Sequence, residues 1–332
     1  MLSIIVTYHN EPREFLFECL NQLVRTAEGN YEIIVVDDHS DVPLDQIPGV
    51  TVIRNPKNVG VGQSFDAGVK VAQGENIILS ACDIRFSDNG WMKKLVQEIE
   101  KNPKSLICTT CIGLNQQINQ ETGEMDNMDI EKRKKVQTGY GATILMFHDK
   151  QTNPAKSDTF RGIIEASWYK KQDRDIYEVP CILGAIYGVK KSWYEYIDGF
   201  ALHQKWGTLE PYISLKSWLM GGNCLCAKHI ETAHIFKENG SPLNIAHGIK
   251  QDAVIYNKLL VATLCTPDPE RYISFLGTNS IVERSKKMFE DNKHQIMAKR
   301  SEYAKKQVMP LRVLSDKFGI DLRKEPEVYE YE

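Results

Sequence analysis

Three apolar, strand-like runs that each close on a polar cluster set the limits on what this chain can fold into. Leu2 to Thr7 is followed by Tyr8-His9-Asn10-Glu11, Tyr31 to Val36 by Asp37-Asp38-His39-Ser40, and the run from Asn76 ends on Asp83. Between the first two, Pro12 to Arg25 carries Phe15, Leu16, Cys19, Leu20 and Leu23 at helical spacing. Val50 to Arg54 reads as a third short strand. Asn58-Val59-Gly60 then turns into a helix over about 61 to 72, and Gly74-Glu75 turns into the strand before Asp83. Strands that alternate with helices predict an α/β fold with a mainly parallel, doubly wound sheet. Such sheets bind ligands in the crevice at the carboxyl ends of their strands. Any one polar cluster can be explained as helix capping, by Asn10 or Asp38 for example. Three in sequence order point to one shared crevice.

The polar stretches 116–133 and 148–175 read as long loops over that crevice. Strand character returns at Val179 to Val189, a turn at Asp198-Gly199 and a helix from Glu210 to Met220 follow, and Leu225 to Ile235 reads as the last core strand. Beyond Gly240 the pattern is helical. The expected organisation is therefore a 1–240 domain, made of a 1–110 half and a 111–240 half, and a helical extension over 241–332. The stretch from Glu283 to Lys306 has eight Lys/Arg against four Asp/Glu. It reads either as a surface for a phosphate backbone or a peripheral membrane contact, or as a solvated helix face.

Composition excludes several classes. Hydrophobic residues at 42% and charged residues at 26% describe a globular chain with a full core, and a net charge of −3 gives no global pull toward nucleic acid. No apolar run approaches the length of a transmembrane helix, and the opening apolar run lacks the basic flank and cleavage site of a signal peptide. Eight cysteines follow no disulfide-scaffold spacing, so a reducing, cytoplasmic setting is expected. Cys108-Thr-Thr-Cys111 and Cys224-Leu-Cys226 can be read together as a zinc site or, in strand-like surroundings, as buried thiols.

The site residues narrow the chemistry. Asp83 at a strand tip is a hard carboxylate suited to a divalent cation held against a diphosphate. A dinucleotide fingerprint is matched only in its first part by Gly60-Val61-Gly62-Gln63-Ser64-Phe65, which does not follow the first strand, and no P-loop is present. The glycine-rich signature loop of nucleotidyltransferases is also missing. By contrast, Ile4-Ile5-Val6-Thr7-Tyr8-His9-Asn10-Glu11 and Glu32-Ile33-Ile34-Val35-Val36-Asp37-Asp38-His39-Ser40 resemble the start of family 2 glycosyltransferases with the GT-A fold. Asn58-Val59-Gly60, with Asp66 and Gly68, looks like that family's Asn-x-Gly segment. The block from Trp206 to Trp218 and the segment His234-Ile235-Phe236-Lys237 resemble polypeptide GalNAc-transferases, and Asn257-Lys258 onward fits their next helix more loosely.

The resemblance implies a nucleotide-sugar donor, a UDP-sugar above all, an acceptor hydroxyl and a Mn²⁺ or Mg²⁺ ion, with 1–110 as the nucleotide-binding half and 111–240 as the acceptor half. Thr7, Asp37 and Asp38 would border the base, with Tyr8, Asn10, Glu11, Asn58 and Gly60 around the nucleotide. Asp83 matches the second Asp of the family's DxD motif, and His234 its later metal-ligand histidine. Lys237 would face the diphosphate, and Gly184 and Ala185 would let the sugar lie close to backbone. Glu210 stands where inverting enzymes place the base that deprotonates the acceptor hydroxyl, whereas the retaining GalNAc-transferases have Asn there. It also suits a helix N-terminus. Trp206 would stack on the acceptor or belong to the core. Two departures stand out. Ala81 replaces the first Asp of DxD, which keeps open a binding protein that has lost catalysis, and Leu209 replaces a carboxylate that contacts acceptor sugar. The acceptor could be a glycan, a lipid-linked glycan, a protein or a hydroxylated nucleic-acid base. The GalNAc-transferases' lectin domain has no counterpart in these 332 residues, which argues against a role on secreted glycoproteins.

Overall fold

The computed structural model describes residues 1–115, 135–148, 162–184, 186–236 and 251–322. In chain order it contains β1 (Leu2–Tyr8), α1 (Arg13–Thr26), β2 (Tyr31–Asp37), β3 (Thr51–Arg54), α2 (Val61–Val71), β4 (Asn76–Ala81), β5 (Ile84–Phe86) and α3 (Trp91–Lys101). There follow β6 (Ser105–Asn115), β7 (Lys135–Gly139), β8 (Ala142–His148), β9 (Gly162–Trp168), β10 (Ile176–Glu178), β11 (Ile186–Lys190) and α4 (Lys191–Tyr196). The described chain ends with α5 (Leu209–Leu219), β12 (Asn223–Phe236), α6 (Gln251–Cys265), α7 (Pro269–Phe275), α8 (Ser280–Lys306) and α9 (Leu311–Phe318).

The first apolar runs became neighbours for a simple reason: both of their faces are buried. On β1, Ile5 packs with Ile34, Val36 and Leu79 on one side of the sheet, while Leu2, Ile4 and Val6 pack with Ile33, Val35 and the α1 residues Leu16 and Leu20 on the other. Continuous burial is the reason the runs show no polar alternation. The sheet order is β10-β12-β6-β11-β4-β1-β2-β3, with β5 added to β12 and β7 to β6. Pairs β1·β2, β1·β4 and β2·β3 are parallel, as is β6·β12. β11, however, runs antiparallel between β4 and β6. The sheet is therefore mixed: β11 separates a parallel group, β4-β1-β2-β3, from the parallel pair β6·β12, where a mainly parallel sheet was expected.

Two local readings change. The run from Asn76 is not one strand ending on Asp83: it breaks after Ala81, makes a turn at Cys82-Asp83 and resumes as β5 along β12. The stretch 148–175 also holds more than loop, since β9 pairs antiparallel with β8. Ile163 and Ile164 bury completely there, a short apolar signal swamped by polar flanks. The stretch 116–133 lies outside the described residues.

The helical character expected beyond 240 is present in α6 to α9. α6 packs into the same core as the sheet, with Ile255, Tyr256, Leu259 and Leu260 beside Tyr212, Leu215 and Trp218 of α5. Part of the positive charge of α8 is paired within the fold. Arg284 pairs with Asp252 at 2.9 Å, Lys299 with Asp198 at 2.6 Å and Lys306 with Glu302 at 2.8 Å, while Arg300 donates to the Thr263 carbonyl at 2.7 Å. These pairings give part of the basic stretch a use inside the fold, Lys287, Lys293 and Lys305 are exposed, and the nucleic-acid or membrane contact is left without support. No helix among the described residues is long and apolar enough to cross a membrane.

The turn before α2 is the tightest joint near the strand ends. Gly60 has φ +96°, and a Cβ there would lie 2.1 Å from the Lys205 carbonyl oxygen. Gly60→Ala is accordingly expected to lower unfolding stability by about 2–4 kcal/mol, read as a shift of the urea midpoint.

Candidate active site

The parallel pairing of β1 with β2 sets Tyr8 opposite Asp37 and brings the first two polar clusters together. Asp37 is fully buried. Burial pushes its carboxyl up, but hydrogen bonds from the Ser40 hydroxyl and amide, from Arg54 and from the Leu44 amide outweigh this and hold it below the usual range. Asp38 accepts from the Asn55 and Asn58 side-chain amides at 2.9 and 2.8 Å and from the Val59 and Gly60 backbone amides at 2.8 and 2.6 Å. Its oxygens are thus committed to building the 55–60 turn. Asn10, at φ 51°, accepts from the Asp41 amide through its side chain at 2.8 Å, while its own amide donates to the Ser40 hydroxyl at 3.1 Å. Tyr8 donates to the Glu11 carbonyl at 2.6 Å, and Thr7 is buried at the end of β1. The clusters are laced into one floor.

Next to this floor, the turn carrying Asp83 meets β12. His234 pairs in register with Ile84, and its Nε2 lies 3.3 Å from Asp83 Oδ2. The Ile235 amide donates to the Asp83 carbonyl at 3.1 Å, and the His234 ring sits edge-on to Phe236 at 4.4 Å between centroids. The buried Arg85 braces the same turn, donating to the Cys82 and Ile84 carbonyls at 3.1 and 2.7 Å. The Cys111 thiol is pushed up to about 12, first by burial and then by the nearby charge of Asp83. Gly184, with φ +145°, would place a Cβ 3.1 Å from that of Cys111. Gly184 thus packs against Cys111 of β6. A carboxylate oxygen and an imidazole nitrogen converging in this way fit a cation such as Mn²⁺, which accepts both donor types. Among the described residues no group of three or more potential ligands occurs, so phosphate or water oxygens would complete the shell. The zinc reading of the cysteines fails the same criterion: all eight are free and buried.

Glu210 opens α5 and receives a hydrogen bond from the Tyr187 hydroxyl at 2.9 Å. Burial pushes its carboxyl above the usual range, against lowering by its own backbone amide, by Tyr187 and by nearby His234. The last influence brings Glu210 into the neighbourhood of the Asp83–His234 pair. Trp206, four residues earlier, is 52% exposed, which removes it from the core. Ala185 and Lys237 lie outside the described residues.

Residues 3–166 match the family model for glycosyl transferase family 2. This segment is a family 2 glycosyltransferase domain. Human polypeptide N-acetylgalactosaminyltransferase 14 is 24% identical over 247 residues, 71% of this chain and 41% of that protein. Polypeptide N-acetylgalactosaminyltransferase 4 of Caenorhabditis elegans is 25% identical over 251 residues, 71% of this chain and 38% of that protein. The chain thus spans about two fifths of the length of these curated relatives. The crystal structure of GalNAc-T7 with UDP, GalNAc and Mn²⁺ superposes with a TM-score of 0.64 at 16% identity, over 97% of this chain and 57% of that one. The fold is GT-A.

Several residues around the candidate site carry no signal in the linear pattern. Tyr187 sits in an apolar strand run, and nothing nearby marks it as the partner of Glu210. Arg85 follows Asp83 by two residues and reads as an ordinary strand charge until its burial is seen. Lys205, which reaches the Asn58 carbonyl and side chain, is separated from them by the whole of the sheet's centre.

Proposed function

We propose that this chain transfers a sugar from a nucleotide-sugar, a UDP-sugar first of all, to an acceptor hydroxyl with inversion at the anomeric carbon. The observation that carries the reading is the convergence of Asp83 and His234 on one point, with the raised carboxyl of Glu210 in electrostatic reach of His234. The relatives' names, polypeptide N-acetylgalactosaminyltransferases, and the solved complex with UDP, GalNAc and Mn²⁺ support the donor class and the metal.

Asp83 and His234 would hold Mn²⁺, which supplies positive charge against the leaving diphosphate. The floor of Thr7, Tyr8, Asn10, Glu11, Asp37, Asn58 and Gly60 would seat the nucleotide, with Asp38 acting through the turn it builds. Gly184, packed against Cys111, would leave room for the sugar. Glu210 accepts the acceptor hydroxyl's proton as that oxygen bonds to the anomeric carbon, and the bond from that carbon to the phosphate oxygen breaks to release the nucleoside diphosphate. Tyr187 orients Glu210, and half-exposed Trp206 offers a face for the acceptor.

A panel of UDP- and GDP-sugars incubated with Mn²⁺ tests the proposal. At least one UDP-sugar is expected to yield free UDP, with product stereochemistry read by NMR as inverted. Nucleotide binding without turnover of any donor would favour the binding protein that Ala81 leaves open. Retained stereochemistry would remove Glu210 from the base role.

A further inference from the structure

The segment that delivers Trp206 and Glu210 has an unusual backbone. Within seven residues, Leu202, Lys205, Gly207 and Thr208 all take positive φ, at 64°, 53°, 96° and 61°. Three of these are not glycine, and such conformations persist only where the surroundings impose them. The main restraint comes from α6. Asn257, completely buried, donates through its amide nitrogen to the carbonyls of Gln204 at 2.7 Å, Trp206 at 3.1 Å and Gly207 at 3.1 Å, and its side-chain oxygen accepts from the Gln204 amide at 2.9 Å. One side chain thus holds the backbone on both sides of Lys205 and directly at Trp206.

The other contacts extend this grip. His203 Nε2 lies 2.8 Å from the Gly207 carbonyl, and burial lowers its imidazole to about 4, so the ring stays neutral and can donate there. The Tyr256 hydroxyl reaches the Leu202 carbonyl at 3.3 Å. On the far side the Lys205 amide donates to the Val59 carbonyl at 3.0 Å, next to Gly60, which Asp38 already holds. The loop is therefore suspended between the C-terminal helices and the nucleotide floor.

We infer that Asn257 is a positioning residue for transfer: by fixing the 202–208 backbone it sets where Trp206 and Glu210 stand relative to the acceptor. The inference rests on the glycosyltransferase reading for its kinetic consequence but not for its structural one. Asp has the shape of Asn and lacks the two amide hydrogens, so Asn257→Asp removes three of the four bonds with little change in volume. The variant is expected to keep UDP affinity within about twofold and to lose about tenfold or more in kcat, since displacements near 1 Å at a reacting group can cost that much. The difference in acrylamide quenching between each protein and its Trp206→Phe derivative reports the loop alone, and it should rise in Asn257→Asp.

A folded Asn257→Asp protein with unchanged kcat and unchanged Trp206 quenching overturns the inference. If the parent protein turns over no donor, the quenching difference still decides whether Asn257 holds the loop, so the two readings fail separately. Should Asn257→Asp not fold, Gly207→Ala disturbs the same segment without touching Asn257, because φ there is +96° and a Cβ would lie 3.2 Å from Val254 of α6. Retained UDP binding with reduced kcat is then the expected result, and unchanged kcat the overturning one.

Discussion

Replacing Glu210 with glutamine is expected to lower kcat for transfer by about 10²–10⁴-fold, the range typical of a lost general base, while UDP affinity stays unchanged. Glutamine keeps the size of the side chain and can still pair with the Tyr187 hydroxyl, so the loss reports proton acceptance more than packing. The pH profile adds a second reading. Because burial raises the Glu210 carboxyl above its ordinary value of 4.5, the base becomes competent only above that raised value. The acidic limb of kcat/KM should therefore lie above the normal carboxylate range. Tyr187→Phe removes a bond that favours the ionised form, so it should move that limb to still higher pH. The same shift bears on stability. A carboxyl raised on folding contributes stability that is complete below its unfolded value and is lost as pH rises through the folded one. At neutral pH the ionised Glu210 thus weakens the fold, and Glu210→Gln should raise the melting temperature as it abolishes turnover. Unchanged kcat in a folded Glu210→Gln protein would remove Glu210 from the mechanism.

Asp83→Ala is expected to abolish Mn²⁺-dependent donor turnover, with a loss on the order of hundredfold or more when charge stabilisation of the leaving group disappears. His234→Ala should have the same direction, since the two side chains converge within 3.3 Å and no third ligand candidate joins them among the described residues. A two-ligand site has little redundancy. The decisive readout is independent of catalysis: calorimetric UDP binding with and without Mn²⁺. In the parent protein Mn²⁺ should tighten UDP, and in both variants that enhancement should vanish while metal-free binding persists. Metal-enhanced binding that survives Asp83→Ala would show that the cation sits elsewhere. Ala81 sharpens this test, because it leaves no carboxylate two residues before Asp83 to compensate for the loss.

The strand-end clusters of β1 and β2 were legible because their signals are local. β1 and β2 announce themselves as unbroken apolar runs, and the clusters at their ends fall where a parallel sheet opens. Even there the roles of individual carboxylates were less legible. Asp38 reads as a contact for a base, yet in the structure it accepts from four donors of the 55–60 turn. The region beyond β6 was harder. β9 hides behind polar flanks, and the antiparallel β11 leaves no mark in a pattern that only distinguishes strand from helix. The basic stretch in α8 reads from the sequence either as a surface for an anionic partner or as a solvated face, because sequence shows charge without its counter-charge. Asp252, Asp198 and Glu302 supply that counter-charge within the fold.

The sequence by itself determined the α/β class, the placement of Asp83 and the clusters of β1 and β2 at one end of the sheet, and the motifs that match family 2. Hydrophobic periodicity and turn chemistry act over a few residues, so they can be read in order along the chain. Only the tertiary structure decided that Tyr187 meets Glu210, that Arg85 braces the Asp83 turn, and that Asn257 grips the loop carrying Trp206. Each of these is a buried polar group that must find a hydrogen-bonding partner on another element, and which partner is in reach depends on how the sheet and helices pack.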